Sequence, residues 1–381
     1  MNTVAHDNRR TSLRVAFIGG GSGGHLFPAV AIAQELLRQN PESRFLFLTS
    51  HRAVDQQVLE ASDLSEIETQ VVPYASMSST RGFWGSAMRL PSLWGSLRQA
   101  RMSLKAFQPD AVVGLGALAS VPGVVAASRL RLPVMLLEQN CLPGRATRVL
   151  ARRARLTMFG LPVAEDRLHG WPSAVQTCGT PVRVGIRELA ELPVALISER
   201  KRILILGGSQ GSHSVNQIVA TAFGEGLTIP PEWDIVHQTG EPQVAAIRDE
   251  YLRCGITARV AAFFPDMRAE LAAASIAISR AGAVTIQELA CAGLSSILIP
   301  LSKAADNHQF FNARLLAGHG AAFVIDEKKD NAVNTFKTSL EMLVSEPDHR
   351  LRMGRAIRTF ATPNAATEIA GMLRDIAVLH V

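Results

Sequence analysis

Cysteine is scarce in this sequence, and its placement excludes two kinds of site. The 381 residues contain four cysteines, Cys141, Cys178, Cys254 and Cys291. None of them has the short CxxC or CxxH spacing of a zinc site, and scattered thiols do not make the disulfide framework of a small secreted protein. We therefore expect neither a zinc site nor disulfide bonds, and a protein of a reducing compartment such as the cytoplasm.

Apolar segments that would secrete or anchor the chain are also missing. The N-terminal stretch MNTVAHDNRRTS has no apolar core of a signal peptide, so we expect no secretion. Residues 111–128 carry no charge, but three glycines and a proline interrupt them. Those breaks are typical of a strand, a turn and a helix start, so we predict no transmembrane helix.

Acidic residues are fewer than basic ones, and the imbalance constrains the partner. The formal net charge is +6, and many of the arginines lie between positions 81 and 155. A positive net charge favours an anionic partner, which could be nucleic acid, a membrane surface or a phosphorylated substrate. The alternative is that the arginines only form an ordinary solvated surface. Because no pattern of an RNA- or DNA-binding module accompanies the arginines, we expect no nucleic acid.

Short apolar runs alternate with helix-spaced segments along the whole chain. Six such runs precede residue 180 and six follow it, beginning with LRVAFI and RILIL. This predicts an α/β protein with two Rossmann-like, doubly wound parallel sheets. We place an N-terminal domain at 1–180 and a C-terminal domain at 181–381, whose last helix, about 362–381, is expected to pack back on the first domain. One large α/β domain is the alternative.

Each half opens with a strand that runs into glycines and then into a helix. The two stretches are FIGGGSGGHLFPA at 17–29 and ILILGGSQG at 203–211. Helix N-termini at the carboxyl ends of parallel strands present N–H groups to anions. Two such domains facing each other would form a cleft with a phosphate cradle on each wall. That arrangement suits a reaction between two phosphorylated molecules.

A dinucleotide dehydrogenase is the alternative for the first turn. Gly19, Gly21 and Gly24 satisfy GxGxxG. The acidic residue expected after the second strand is absent, and Arg52 would fit only the phosphorylated cofactor. The second glycine turn would stay unexplained.

Three further polar residues point to the same cleft. His25 follows the first glycines, where it can donate to a phosphate or accept a hydroxyl proton, unless it only caps or packs the helix. Glu288, in SRAGAVTIQELACAG, can hold the two hydroxyls of a ribose, unless it only complements the helix dipole. His308 belongs to the polar group of ADNHQFFNARLL, expected in a loop before a helix, which suits sugar hydroxyls or a solvated cap.

Several of these motifs together resemble the MurG family, bacterial transferases that move N-acetylglucosamine from UDP-GlcNAc to lipid I. The motifs, in the family's order, are GGGSGGHLFPA, EQN, GTPVR, GGSQGS, FFPDM, SRAGAVTIQE and ADNHQFFNA. The resemblance spans about residues 14 to 370. It implies a two-domain GT-B fold with the acceptor on the N-terminal domain and UDP-GlcNAc mainly on the C-terminal one.

The resemblance also implies which residues bind the substrates. The turn with Ser209, Gln210 and Gly211 would hold the diphosphate. The uracil end would meet Arg183 and the main chain of Phe264, and the ribose would meet Glu288. The remaining residues expected to line the sugar and phosphate pockets are Asn140, Ala283, Val284, Thr285, His308 and Gln309 on the donor side, and Ser22, Gly23, Gly24 and His25 across the cleft.

This sequence departs from the family pattern at two places. Leu137 stands before EQN, where the family commonly has histidine, and GALASVP at 116–122 replaces GGYxSxP. Both places are expected near the acceptor.

The segment 80–107 mixes aromatic and basic side chains. Phe83, Trp84 and Trp94 are interspersed with four arginines and a lysine, a composition that favours an anionic bilayer interface. The alternative is that these aromatics are core residues. Because lipid I is membrane-bound, we expect peripheral attachment at the cytoplasmic face of the bacterial plasma membrane.

The implied reaction is a single inverting displacement. With no DxD motif in the sequence, we expect no metal or other cofactor, and helix N-termini would stabilise the leaving diphosphate. His25 is the first candidate for the catalytic base and Glu138 the second. Other readings are a transferase with another lipid acceptor, such as a diacylglycerol, a UDP-GlcNAc 2-epimerase, and a non-catalytic nucleotide-sugar-binding protein.

Overall fold

The structure is built on two parallel sheets that follow each other along the chain. The computed structural model describes residues 12–20, 23–50, 52–60, 62, 64, 67–71, 90–208, 211–302 and 307–378. Within these ranges no helix is both long and apolar enough to span a bilayer.

The first sheet contains seven strands. They are β1 (Arg14–Ile18), β2 (Arg44–Thr49), β3 (Ile67–Val71), β4 (Ala111–Gly114), β5 (Val134–Glu138), β6 (Leu156–Phe159) and β7 (Ala174–Thr177). Their spatial order is β3-β2-β1-β4-β5-β6-β7, and all neighbours are parallel. The order reverses between β1 and β4, which is where such a sheet holds its ligand.

The second sheet repeats this arrangement with six strands. They are β8 (Arg202–Leu206), β9 (Asp234–Gln238), β10 (Ala258–Ala261), β11 (Ile276–Ser279), β12 (Ser295–Leu298) and β13 (Phe323–Val324). Their spatial order is β10-β9-β8-β11-β12-β13, again all parallel. The order reverses between β8 and β11, so each sheet has one ligand position at its carboxyl edge.

Helices connect the strands and cover both faces of each sheet. They are α1 (Gly23–Gln39), α2 (Ala53–Glu60), α3 (Leu90–Phe107), α4 (Val121–Arg129), α5 (Arg145–Leu150), α6 (Glu165–Leu168), α7 (Val184–Arg187), α8 (Val194–Ser198), α9 (His213–Gly224), α10 (Val244–Arg253), α11 (Met267–Ala273), α12 (Ala283–Ala292), α13 (His308–Gly318), α14 (Ala332–Ser345), α15 (Pro347–Arg358) and α16 (Ala365–Val378). Short 3₁₀ turns lie at Leu118–Ser120, Ala151–Arg153, Glu188–Glu191 and Glu241–Gln243.

The central strands are buried on both faces because their side chains alternate between two cores. In β8, Ile203 and Ile205 pack into one apolar cluster, whereas Leu204 and Leu206 pack into another. Continuous apolar runs are the expected signature of strands buried on both sides. The predicted α/β fold with two doubly wound parallel sheets is therefore confirmed.

The strand β7 was not predicted from the sequence. β7 lies at the edge of the first sheet, pairs only with β6 and has mostly exposed residues. Its sequence, AVQT, is short and half polar. An edge strand with a solvated face lacks the apolar run by which the buried strands were recognised.

The last helix, α16, contacts α1 and contributes to the core of the first sheet. Ile369, Ala370 and Leu373 are buried there together with Phe17. The chain therefore crosses between the sheets twice, after β7 and again before α16. The division at residues 180 and 181 remains our proposal for the domain boundary.

The two crossings touch each other. Gly179 has a φ of +81°, and a Cβ added to it would lie 1.9 Å from Thr362 Oγ1. Any side chain at position 179 would therefore collide with the returning segment. The contact places the two crossings side by side.

A buried carboxylate on α1 ties three parts of the chain together. Glu35 accepts hydrogen bonds from Arg38 Nη2 at 2.7 Å and from Thr367 Oγ1 of α16 at 3.1 Å. Arg187 of α7 approaches it to 3.5 Å. The hydrogen bond from Arg38, assisted by other donors, lowers the pKa of Glu35 to about 2.

We predict that Glu35→Gln reduces the free energy of unfolding by about 1–3 kcal/mol at pH 7, because it replaces a charged acceptor among cationic donors. Since the pKa of Glu35 is lowered from 4.5 to about 2 on folding, its contribution is complete above pH 4.5 and is lost as the pH falls towards 2. Urea unfolding followed by circular dichroism at pH 7, 4 and 3 measures this. The exposed Glu42 provides a control in Glu42→Gln, and a wild-type advantage that did not shrink in acid would contradict the assignment.

Candidate functional site

The first wall of the site is the turn between β1 and α1. Gly19 and Gly20 have φ values of +142° and +153°, which L side chains rarely adopt. A Cβ on Gly20 would lie 2.4 Å from Asp55 Oδ2, and Asp55 accepts a hydrogen bond from Ser50 Oγ. The turn is thus held tightly before α1 begins at Gly23. Ser22 lies outside the described residues.

His25 lies in the first turn of α1, next to Gly24, and is half-buried. Desolvation lowers the pKa of the His25 imidazole; nearby Glu138 opposes the shift, and His308 from the second sheet adds to it. A neutral imidazole at neutral pH can accept a proton. The groups that act on this pKa therefore come from both halves of the chain.

Glu138, at the end of β5, is buried with both carboxylate oxygens in use. Oε1 accepts from N and Nδ2 of Asn140 at 3.2 and 2.9 Å. Oε2 accepts from Gly144 N at 3.0 Å and from Thr147 Oγ1 at 2.6 Å. This geometry favours a residue that fixes the loop before α5 over a residue that takes a proton from substrate.

Asn140 joins the two walls. Its Oδ1 accepts a hydrogen bond from Asn312 Nδ2 at 2.9 Å, and Asn312 Oδ1 accepts from Cys141 N at 3.1 Å. Asn312 Nδ2 also lies 3.2 Å from the carbonyl oxygen of Ala281. The fully buried side chain of Asn312 therefore connects the loop after β5 with the loop after β11.

Asn312 was not assigned from the sequence, although one signal was available. It follows His308 by four positions on α13, so the two residues share a helix face. A side chain below a predicted ligand-facing histidine is well placed to support the same site.

The second wall begins with the turn after β8. Gly208 and Gly211 have φ values of +80° and +76°, and Gly211 N donates to Gly208 O at 3.0 Å. A Cβ on Gly211 would lie 2.5 Å from Thr239 O. Ser212 then caps α9 through its side chain. Ser209 and Gln210 lie outside the described residues.

The helix α12 contributes the next part of this wall. Ala283, Val284 and Thr285 form its first turn, and the residue before it, Gly282, has no side chain to cap the free N–H groups. The helix is ten residues long and begins after a three-residue loop that follows β11. Its N-terminus is therefore available to an anion at the carboxyl edge of the sheet.

Glu288, the sixth residue of α12, faces Arg183. Arg183 Nη2 lies 3.0 Å from Glu288 Oε1, and its guanidinium lies 5.3 Å from the ring centre of Phe27 on α1. Burial raises the pKa of Glu288, while Arg183 opposes the shift. The two residues expected at the ribose and uracil thus lie together, although they are 105 positions apart in the sequence.

Phe264 is buried at the same end of the sheet. Its N–H donates to Gln238 Oε1 at 3.3 Å, and the Arg259 guanidinium lies 4.6 Å from the centre of its ring. The side chain is therefore a packing element, and only the main chain could meet a base.

His308 and Gln309 lie in the first turn of α13, and not in a loop before the helix as the sequence suggested. Asn307, with a φ of +56°, allows the chain to enter the helix at that point. Gln309 Oε1 accepts a hydrogen bond from Leu301 N at 3.0 Å. A third helix N-terminus therefore reaches the carboxyl edge of the second sheet.

Of the two departures from the family pattern, the stretch 116–122 lies beside His25, and Leu137 adjoins that stretch through its carbonyl oxygen. A Cβ on Gly116 would lie 3.8 Å from His25 Cδ2 and from the carbonyl oxygen of Leu137, and Leu137 itself is buried in the core. Ala117 has a φ of +55°, where an alanine costs on the order of 1–3 kcal/mol. Leu118 follows with 44% of its surface exposed.

The aromatic segment is described only from α3 onwards, so Phe83 and Trp84 lie outside the described residues. Trp94 is 66% exposed and does not belong to the core. Leu93 and Met102 are also exposed, as are Arg98, Arg101 and Lys105. This exposed surface of α3 thus carries apolar and cationic side chains together.

Two Rossmann-like sheets, each with a glycine turn at its carboxyl edge, together with matches to two family models, define a sugar-nucleotide-dependent glycosyltransferase of the GT-B type. Residues 15–158 match the glycosyltransferase family 28 N-terminal domain, and residues 202–369 match the glycosyltransferase family 28 C-terminal domain. No group of three or more metal-binding side chains occurs within the ranges given above.

Individual relatives cover nearly the whole chain. One from Anaeromyxobacter dehalogenans, a UDP-N-acetylglucosamine–N-acetylmuramyl-(pentapeptide) pyrophosphoryl-undecaprenol N-acetylglucosamine transferase, is 32% identical over 96% of this chain and 93% of its own. A protein of the same name from Coxiella burnetii is 33% identical over 93% and 96%. The crystal structure of Acinetobacter baumannii MurG, 26% identical, superimposes with a TM-score of 0.73 over 95% of this chain and 99% of that one. The chain belongs to the MurG family of N-acetylglucosaminyltransferases, and the expected GT-B fold is confirmed.

Proposed function

We propose that the protein transfers N-acetylglucosamine from UDP-GlcNAc to the 4-hydroxyl of the N-acetylmuramoyl unit of lipid I, undecaprenyl-diphospho-N-acetylmuramoyl-pentapeptide. The product would be lipid II, used in peptidoglycan synthesis. The observation that carries the proposal is a pair of glycine turns on the two walls of one cleft, bridged by Asn140 and Asn312, in a chain 32% identical to a relative named for this transfer.

The donor would bind along the carboxyl edge of the second sheet. The N-termini of α9, α12 and α13 would receive the diphosphate, because each presents main-chain N–H groups there. In this assignment Glu288 accepts from the ribose hydroxyls, and Arg183 leaves its ion pair to meet the uracil. The main chain of Phe264 would contact the base, and Gln309, His308 and Asn140 would contact the sugar.

The chemistry would be one displacement at the anomeric carbon. The acceptor oxygen forms its bond to C1 as the bond from C1 to the UDP oxygen breaks, and the electron pair passes to the diphosphate. The three helix N-termini would stabilise that charge. His25, neutral because desolvation lowers its pKa, would take the hydroxyl proton. In this assignment Glu138 orients Asn140.

Incubation of the purified protein with UDP-GlcNAc and a lipid I analogue tests the function. We expect UDP release that depends on the acceptor, and a β1,4-linked disaccharide product identified by mass spectrometry and NMR. Transfer only to a diacylglycerol, conversion of UDP-GlcNAc to N-acetylmannosamine without acceptor, or binding without turnover would each reject the proposal in favour of a different activity.

For the base, we predict that His25→Ala lowers kcat by about 10²–10⁴-fold, the usual contribution of a positioned general base. UDP affinity, measured by calorimetry, should change by less than about threefold, because the donor is held by the opposite wall. His169→Ala, an exposed position, is the control. Full activity of the His25 variant would remove this residue from the mechanism.

We further propose that α3 and the preceding segment dock on an anionic membrane at its cytoplasmic face. Trp94, Leu93 and Met102 would enter the interface while Arg98, Arg101 and Lys105 contact lipid headgroups. Such docking would place the cleft next to an acceptor that cannot leave the bilayer.

Replacement of both Trp84 and Trp94 by serine should weaken binding to phosphatidylglycerol-containing vesicles by roughly five- to tenfold, because two amphipathic anchors are lost. Vesicle sedimentation measures the change. Leu252→Ser, which alters an exposed apolar side chain on the second half of the chain, should bind as the wild type does. Unchanged binding by a folded Trp84/Trp94 variant would contradict the docking surface.

A further inference from the structure

A nearly buried ion pair lies at the carboxyl edge of the second sheet, outside the residues assigned so far. Arg280 Nη1 and Glu327 Oε2 are 2.7 Å apart, and their side chains are 16% and 9% exposed. Arg280 directly follows β11, and Glu327 follows β13 by three positions. Both residues therefore stand where the connecting loops leave the sheet.

The hydrogen bonds of this pair reach two further loops. Arg280 Nη1 donates to the carbonyl oxygen of Ile299, just after β12, at 2.9 Å. Ser302 N, in the loop that leads to α13, donates to Glu327 Oε1 at 2.9 Å. The hydroxyl of Ser214, in the first turn of α9, donates to Glu327 Oε2 and accepts from Arg280 Nη2.

These contacts connect four strand ends that are neighbours in the sheet. The four strands are adjacent in the order β8-β11-β12-β13. Ser214 follows β8, Arg280 follows β11, Ser302 follows β12 and Glu327 follows β13. The same loops lead into α9, α12 and α13, the three helix N-termini assigned above to the diphosphate. The Glu327 carboxylate and the Arg280 guanidinium together therefore link these loops.

Charge makes Glu327 the centre of this cluster. Burial alone would raise its pKa, but the hydrogen bonds from Ser214, Ser302 and Arg280 outweigh that effect and lower the pKa of Glu327 to about 2. The carboxylate stays ionised at neutral pH and accepts from all three groups. It also neutralises Arg280, which is held by Glu327, Ser214 and Ile299 and does not project freely towards the ligand position.

We infer that Glu327 is a positioning residue for the donor: it fixes the three loops that bring helix N-termini to the diphosphate of the sugar nucleotide. This inference rests on the proposed function, because it assumes a nucleotide diphosphate at this edge. It assigns to Glu327 no contact with the reacting atoms.

The test compares Glu327→Gln with Glu270→Gln. Glu270 is also a nearly buried carboxylate paired with two arginines, Arg259 and Arg202. Arg202 is the first residue of β8, at the opposite edge of the same sheet. Arg259, on β10, packs on the ring of Phe264, of which the main chain alone is assigned to the donor. Loss of a buried ionic contact is thus common to both variants. Only Glu327→Gln alters the loops at the proposed diphosphate site.

For Glu327→Gln we expect the Kd for UDP, measured by calorimetry well below the melting temperature, and the KM for UDP-GlcNAc each to rise about tenfold. We expect kcat to fall about three- to tenfold as well, because the same helix N-termini stabilise the leaving diphosphate. Glu270→Gln should leave both affinities within about twofold. Unchanged affinity in Glu327→Gln would show that the pair is only structural. Tighter UDP binding would show that Glu327 restrains Arg280 from contacting the phosphates directly. Either result would overturn the inference.

Ser214→Ala gives a milder variant if Glu327→Gln does not fold. It removes the hydroxyl shared by Arg280 and Glu327, so we expect UDP to bind about three- to fivefold more weakly, and equal binding would count against the inference. UDP affinity requires neither acceptor nor turnover. A wild-type protein that binds UDP but does not transfer to lipid I would therefore refute the proposed function while leaving the role of Glu327 open to this test.

Discussion

The structure depends on one buried carboxamide that joins two half-sites. Asn312 bonds to Asn140 and to the main chain at Cys141 on one side, and to the carbonyl of Ala281 on the other. Each sheet presents a glycine turn at its carboxyl edge, but a transfer reaction needs the two edges at a defined separation. A fully paired, buried amide is suited to set that separation, because any displacement leaves polar groups without partners at a cost of about 1–3 kcal/mol each.

The fold could be predicted from the sequence because its signals are local. Runs such as LRVAFI and RILIL are strands, and the glycines after them are the turns that were expected. The side-chain network of the site could not be predicted in this way. The bonds from Arg183 to Glu288 and from Asn312 to Asn140 join residues 105 and 172 positions apart, and no periodicity records such contacts. Helix bounds were a smaller difficulty: His308 begins α13 because Asn307 adopts a left-handed conformation, which composition alone does not reveal.

The setting of His25 shows how this chain differs from its family's pattern. A buried leucine and an exposed leucine, Leu137 and Leu118, stand where polar side chains are usual, and both belong to segments that adjoin His25 through Gly116. Burial of His25 disfavours the imidazolium form and lowers its pKa. The backbone at Ala117 adopts a conformation that glycine would accept more easily. These features lie on the side of the cleft assigned to the acceptor and leave the donor residues unchanged.

The paired crossings at Gly179 and Thr362 have a mechanical consequence. Two crossings in contact restrict how one half of the chain can shift relative to the other, because neither segment can move without displacing its neighbour. The carboxylate of Glu35 accepts a hydrogen bond from Thr367, just after the second crossing, and lies near Arg187, just after the first. One residue of α1 therefore contacts the chain beyond each crossing. Any opening of the cleft would therefore have to break the hydrogen bond between Asn140 and Asn312 while the contact between Gly179 and Thr362 holds the crossings together.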